Sequence, residues 1–218
     1  MTALTVKNYA LPAVDEKEVL RYAACREANE QVLALLRECV KEAEEKLSCK
    51  ACYAVFPVNV GNGVCDFGSF SLRSTALSNR LKGCKKAAIF CATIGLEMDR
   101  FIAKYGKISP SKGLLMQALG TERVEAFCSV VCKEIERVAG ASTTVRFSPG
   151  YADLPLEAQT EIFRVLEISK GIGVYLSDSL LMSPSKSVTA IVGICEQKNE
   201  GREKCRACEK TDCTYRRE

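Results

Sequence analysis

Apolar residues early in the chain recur at steps of three and four: Val32, Leu36, Val40, Ala43 and Leu47. That spacing predicts one long amphipathic helix over residues 15–47, with a stripe that a sheet or another helix must cover. Asp15 with Glu18 three positions on has capping-box spacing, Asp standing in the Ser/Thr role, and marks its start. Between 51 and 93 the period shortens. Tyr53 and Val55 alternate with small or polar neighbours, Gly61-Asn62-Gly63 reads as a turn, and Ala87 to Ala92 is a short apolar run, which together predict strands. Helical spacing returns near 94–105 and again from Thr121, read as an N-cap after Gly120, to Ala139, with Val124, Cys128, Val131, Ile135 and Val138 inward and Gly140 as the stop. Thr144 to Phe147 predicts a brief strand running into a Pro149-Gly150 turn, and Pro155 opens a helix that holds to about Lys170 before Gly171 and Gly173. In 185–194, Val188, Ala190, Val192 and Ile194 alternate with a less apolar set, the pattern of a strand covered mainly on one face. Irregularly mixed helices and strands without internal repeats predict an α+β fold: a single domain with a twisted, mainly antiparallel sheet covered by helices.

Composition narrows the chemistry. The 218 residues contain no histidine, which removes imidazole general acid/base catalysis, Ser-His and Cys-His nucleophile pairs, and zinc sites built on imidazole. Any metal must rest on Cys, Asp or Glu. A net charge of +4, with lysines such as Lys82, Lys85 and Lys86 that read as a solvated face and no aromatics interleaved with bases, argues against nucleic acid as a partner. No apolar run approaches the roughly 20 residues of a membrane span, and the opening MTALTVKNYALPAVDEKE turns acidic at once, unlike a secretory leader. Thirteen cysteines in 218 residues is about 6%, below a disulfide scaffold, so a cytoplasmic location is expected, with scattered cysteines such as Cys84, Cys91, Cys128 and Cys132 in the core.

Two constellations carry candidate chemistry. In Arg146-Phe147-Ser148-Pro149-Gly150-Tyr151 an arginine leaving a strand can fork onto a carboxylate, Ser148 and Gly150 offer backbone groups to a flat polar ring, and Tyr151 offers an aromatic edge and a hydroxyl. The same residues equally describe a strand-ending turn with one surface arginine. Glu125 lies one position off the apolar stripe of its helix, where it either faces a cleft as a cation-binding carboxylate or is a solvated charge paired with Arg123 or Arg137.

The second constellation is the tail after Cys195. Residues 196–218 are almost devoid of apolar side chains and carry Cys205, Cys208 and Cys213, so the domain is expected to occupy 1–195 and the tail 196–218. Three thiolates at this spacing can occupy three positions of a tetrahedral zinc or part of an iron–sulfur cluster, with Cys195 as a possible fourth ligand. A redox-active dithiol and an unstructured extension are the other readings of the tail.

The hexapeptide RFSPGY, a following helix, and then LSDSLLMSPSKSVTAIVG resemble the AdoMet-binding reactivation domain of cobalamin-dependent methionine synthase, and the whole chain resembles stand-alone relatives of it. In that family an R-x-x-P-G-Y stretch holds S-adenosylmethionine. Ser177-Asp178-Ser179, Met182-Ser183-Pro184 and Ser187-Val188-Thr189 resemble its downstream motifs, and Arg123 to Phe127 its helix bearing a ligand-facing glutamate. The resemblance therefore implies that Glu125, Arg146, Ser148, Gly150 and Tyr151 bind S-adenosylmethionine. It also implies a role in reductive methylation of a cobalamin-bearing methionine synthase or other corrinoid protein, with a low-potential electron donor of flavodoxin or ferredoxin type. The family's N-terminal acidic ligand to the amino group has no matched position in residues 1–90. A metal- or redox-sensing protein that works through its cysteine tail, and a subunit that keeps the fold without binding ligand, are the competing classes.

Overall fold

The computed structural model describes residues 3–195. Its centre is a five-stranded antiparallel sheet in the order β1-β2-β6-β10-β7, formed by β1 (Thr5–Asn8), β2 (Lys50–Pro57), β6 (Lys86–Thr93), β10 (Ser187–Cys195) and β7 (Ser142–Thr143). Strands β2 and β6 pair over their whole length, Lys50 opposite Thr93 to Pro57 opposite Lys86. On the other side of β6, β10 is registered Ser187 to Thr93 and Ile194 to Lys86.

Both faces of this sheet are covered, unlike the one-sided cover expected for 185–194. On one face Ala88, Phe90, Ala92, Ala190 and Val192 pack against α1 (Glu16–Tyr22), α2 (Glu30–Glu44), α4 (Glu97–Ile108) and α5 (Pro110–Ala139). On the other, Ala87, Ile89, Cys91 and Ile191 meet residues of α3 (Thr75–Leu81), α6 (Ala158–Val165), α7 (Ile168–Ile172) and a small sheet of β3 (Asn59–Gly61), β4 (Val64–Asp66) and β5 (Ser71–Arg73). Ser187 and Thr189, the polar residues that suggested a wet face, are buried because Ser187 donates to the Pro184 carbonyl and Thr189 to Gln159 of α6.

Four elements differ from the sequence pattern. The expected helix over 15–47 is two: after Tyr22 the chain turns through Ala24 at φ 55, and Asn29 caps a new helix by accepting from the Val32 amide at 3.0 Å. Asp15 does cap α1, accepting from the Lys17 and Glu18 amides, but Glu18 turns away to Arg21 instead of closing the box. Thr121 is no N-cap. It lies inside α5, bonding the Gln117 carbonyl, and the helix runs 30 residues, about 45 Å. Gly113 and Gly120 resemble breakers in sequence, yet they persist in this helix because neighbours press on it. A Cβ at 113 would stand 2.9 Å from the Gly106 backbone of α4, and one at 120 would stand 2.7 Å from Met98. The helix expected over 155–170 is split between α6 and α7 by Glu167 at φ 45. Of the strand expected over 144–147 only a single bridge of Phe147 to Ile191 remains, and β7 lies just before that span.

Candidate functional site

The position of Arg146 follows from the residue after it. Phe147 exchanges two backbone hydrogen bonds with Ile191 of β10, at 2.9 and 2.8 Å, and is itself buried, so the backbone at 146 is pinned to the main sheet. The Arg146 side chain then reaches α5. Its Nη2 donates to Glu125 Oε2 at 2.6 Å and its Nη1 to the Glu125 carbonyl at 3.3 Å. Burial opposes the Arg146 charge, and the surrounding Cys128, Glu125 and Cys132 more than offset it, so its pKa stands above the ordinary value. Glu125 is therefore neither purely solvated nor paired with Arg123 or Arg137 as the bland sequence reading had it; its partner is the arginine of the hexapeptide.

The turn after Arg146 is closed by its own backbone. Gly150, at φ 86, donates to the Leu154 carbonyl at 2.9 Å, and Tyr151 donates to the Ser148 carbonyl at 3.2 Å. Tyr151 is 60% exposed and leans edge-on against Phe147. A positive φ at 150 explains the glycine, since a side chain there would be strained. Asp153 anchors the far side of the turn to the start of α3, accepting from the Thr75 and Ala76 amides at 2.6 and 3.1 Å and from Ser74 Oγ.

The Ser177-Asp178-Ser179 stretch forms the tip of a two-stranded hairpin between β8 (Tyr175–Leu176) and β9 (Met182–Ser183). Gln159 of α6 latches it, donating to the Leu180 carbonyl at 3.0 Å while its own oxygen accepts from Thr189 of β10 at 3.2 Å. The three motifs that lie apart in sequence are thus tied to one strand. Gln159 carried no signal in the sequence, because its role depends on a carbonyl 21 residues away.

Beside Glu125 a groove of about 770 Å³ opens between α1 and α5, lined by Ala13, Asp15, Lys17, Glu18, Arg21 and Tyr22 on one wall and Glu122, Glu125, Ala126 and Ser129 on the other. Its walls hold four carboxylates against two cations. One wall is held to the other by Arg123, 1% exposed, which donates to the Pro12 and Ala13 carbonyls at 2.7 and 3.1 Å and pairs with Glu122. Asp15 and Glu18 were legible only as a helix start; nothing in their spacing shows that α1 would lie against Glu125, because that contact spans more than a hundred residues.

The tail cysteines Cys205, Cys208 and Cys213 lie outside the described residues. Among the described residues no cluster of three or more Cys, Asp or Glu side chains is placed to hold a metal. Cys195, expected as a possible metal ligand, is joined in a disulfide to Cys84, which was expected as a core thiol. The pairing was invisible in sequence because 111 residues separate the two. Cys128 does sit in the core, where burial pushes its thiol up to about 12.

A curled antiparallel sheet with helices on both faces, with an open groove near a strand-end arginine, defines an α+β domain. The chain belongs to the family described as vitamin B12 dependent methionine synthase, activation domain, whose sequence pattern matches residues 11–200. Among solved structures it is similar to the MetH reactivation domain bound to AdoHcy, with a TM-score of 0.66 at 15% identity, covering 90% of this chain and 80% of that one. That likeness concerns the fold. No curated protein matches. No described helix is long and apolar enough to cross a membrane.

Proposed function

We propose that this chain binds S-adenosylmethionine through Glu125, Arg146, Ser148, Gly150 and Tyr151, and that it supports the reductive methylation of a cob(II)alamin-bearing methionine synthase or related corrinoid protein. The observation that carries the reading is the Glu125–Arg146 pair at 2.6 Å beside an acidic groove. An α-amino acid is the zwitterionic complement of such a pair: its carboxylate takes the guanidinium fork and its ammonium takes the freed glutamate. The ligand's third charge, the sulfonium, would meet the carboxylates that line the groove. The exposed Tyr151 ring and the backbone of the turn are available to the adenine.

In the overall reaction one electron from a low-potential donor of flavodoxin or ferredoxin type reduces cob(II)alamin to cob(I)alamin. The cobalt electron pair then displaces sulfur from the methyl carbon, forming the Co–C bond and releasing S-adenosylhomocysteine. This chain's residues would orient the methyl donor, and the transfer needs no general base, in keeping with a chain that has no histidine.

Calorimetry with S-adenosylmethionine tests this directly. Saturable 1:1 binding is expected, weakened by about 1.5–3 kcal/mol in Arg146→Ala, the range for a hydrogen bond to a charged group. Arg146→Lys should recover only part, because an ammonium cannot reproduce the fork. A folded wild-type chain that binds nothing, or an alanine variant that binds equally well, would overturn the assignment.

A further inference from the structure

The turn that follows Arg146 is held at its two ends by different parts of the molecule. The near end is Phe147, whose backbone exchanges two hydrogen bonds with Ile191 of β10. The far end is Asp153. Between them the backbone enters the left-handed region twice, at Gly150 (φ 86) and at Ala152 (φ 49). Glycine takes that conformation freely, but in alanine the Cβ crowds the following carbonyl, so the turn is held in a shape its sequence does not favour. Tyr151, Ala152 and Asp153 are all exposed, and the amides of Gly150, Tyr151 and Leu154 bond only to carbonyls of the turn itself. Leu154 is 1% exposed and anchors the turn to the core, but apolar burial is non-directional and does not orient the residues before it.

Asp153 supplies the direction. Its carboxylate accepts from the Thr75 and Ala76 amides at 2.6 and 3.1 Å and from the Ser74 hydroxyl. The first amides of a helix have no partner within it, and Ser74 Oγ satisfies just one of them, Leu77, at 3.0 Å. A carboxylate from 78 residues away thus completes the cap of α3, with its charge on the favourable side of the helix dipole. The helix is a firm anchor in turn, because Leu77 and Leu81 are fully buried against the main sheet.

We propose that Asp153 is a positioning residue for the adenosine end of the methyl donor. It holds the Gly150–Ala152 backbone and the Tyr151 ring in the arrangement that the ligand meets, without touching the ligand itself. This role rests on the proposed function above. Arg146 is fixed separately, through Phe147 and Glu125, so the two ends of the ligand depend on two independent anchors. Releasing Asp153 lets the turn relax toward conformations that Ala152 prefers, and binding must then reorder it, which weakens affinity by the fraction of chains no longer competent.

The test is competition binding to the full chain with three ligands: S-adenosylmethionine, 5′-methylthioadenosine, which lacks the amino-acid end, and S-methylmethionine, which lacks adenosine. Asp153→Ala should weaken the first two by about tenfold each and S-methylmethionine by less than about twofold, with Asp153→Asn in between because its amide oxygen still accepts one hydrogen bond. Arg146→Ala should show the converse, weakening S-methylmethionine and sparing 5′-methylthioadenosine. In the ligand-free protein the Gly150 and Leu154 amides should exchange about tenfold faster in Asp153→Ala while the Ile191 amide is unchanged, which also shows that the core remains folded. Wild type that binds S-adenosylmethionine while Asp153→Ala binds it equally well, or an Asp153→Ala that weakens all three ligands alike, would overturn the positioning role alone. Wild type that binds no S-adenosylmethionine would overturn the proposed function, and this role with it.

Discussion

A buried arginine next to a glutamate is an expensive way to fill space, so Arg123 must earn its place through what it holds. Its guanidinium satisfies two carbonyls of the segment before α1 and the carboxylate of its neighbour Glu122, with 1% and 5% of the two side chains exposed. Truncating it leaves Glu122 charged and buried beside two unpaired carbonyls. Breaking a buried pair from one side typically costs about 3–5 kcal/mol, more than the pair contributes over a matched apolar replacement. Arg123→Ala is therefore expected to lower the urea midpoint strongly, while the double change Arg123→Leu with Glu122→Leu should recover much of the loss. If urea melts show the single variant within about 1 kcal/mol of wild type, Arg123 is not the clamp between α1 and α5. Sequence alone could not assign this role. Its pattern places Arg123 beside a helix stripe, but the carbonyls it serves lie 110 and 111 residues away. Arg146 and Glu125 were each singled out beside a bland reading, but their pairing with one another was not legible.

Among the elements, long periodic stretches were readable and breaks were not. The α5 stripe from Val124 to Ile135 was found, although Val138, also expected inward, is 58% exposed, and its true start at Pro110 was hidden by Gly113 and Gly120, whose value lies in close contacts with α4 and Lys186 that no local pattern encodes. The division of 15–47 rests on the Ala24 turn and the Asn29 cap, weak signals inside an apparently continuous stripe. The α3 N-terminus shows how a loop and a helix are coupled, and it predicts a pH dependence. Hydrogen bonds from Ser74, and then from the Ala76 and Thr75 amides, hold the Asp153 carboxyl below its ordinary 3.8. A carboxylate with a depressed folded pKa contributes stability that is complete above its unfolded pKa and is lost as pH falls through the folded one. Wild type should thus exceed Asp153→Asn in denaturant midpoint near neutral pH, and the gap should narrow as pH falls from about 5 to about 3. A gap that stays constant across that range would show that the ionised carboxylate is not what ties the turn to α3.

At the scale of the whole molecule, β10 serves both constellations. Ile191 fixes Phe147 and hence Arg146, while Cys195, four residues on and about 13 Å further along the strand, carries the link to Cys84. The separation matters because energetic coupling between sites needs a shared two-state element, and β10 is buried, paired with β6 from Ser187 to Ile194 and with β7 at its end. A chain ending at Cys195 should accordingly keep the domain core and bind S-adenosylmethionine within about twofold of the full chain, and lose whatever zinc or iron the full chain is found to hold. Arg146→Ala should do the converse, weakening the methyl donor while leaving the metal content of the full chain unchanged. Paired calorimetry and metal analysis on these two variants decide the matter, with far-ultraviolet circular dichroism to confirm that both remain folded. A tenfold drop in S-adenosylmethionine affinity in the shortened chain would mean that residues 196–218 reach the groove and belong to the binding site, and the division at 195 would then have to be abandoned.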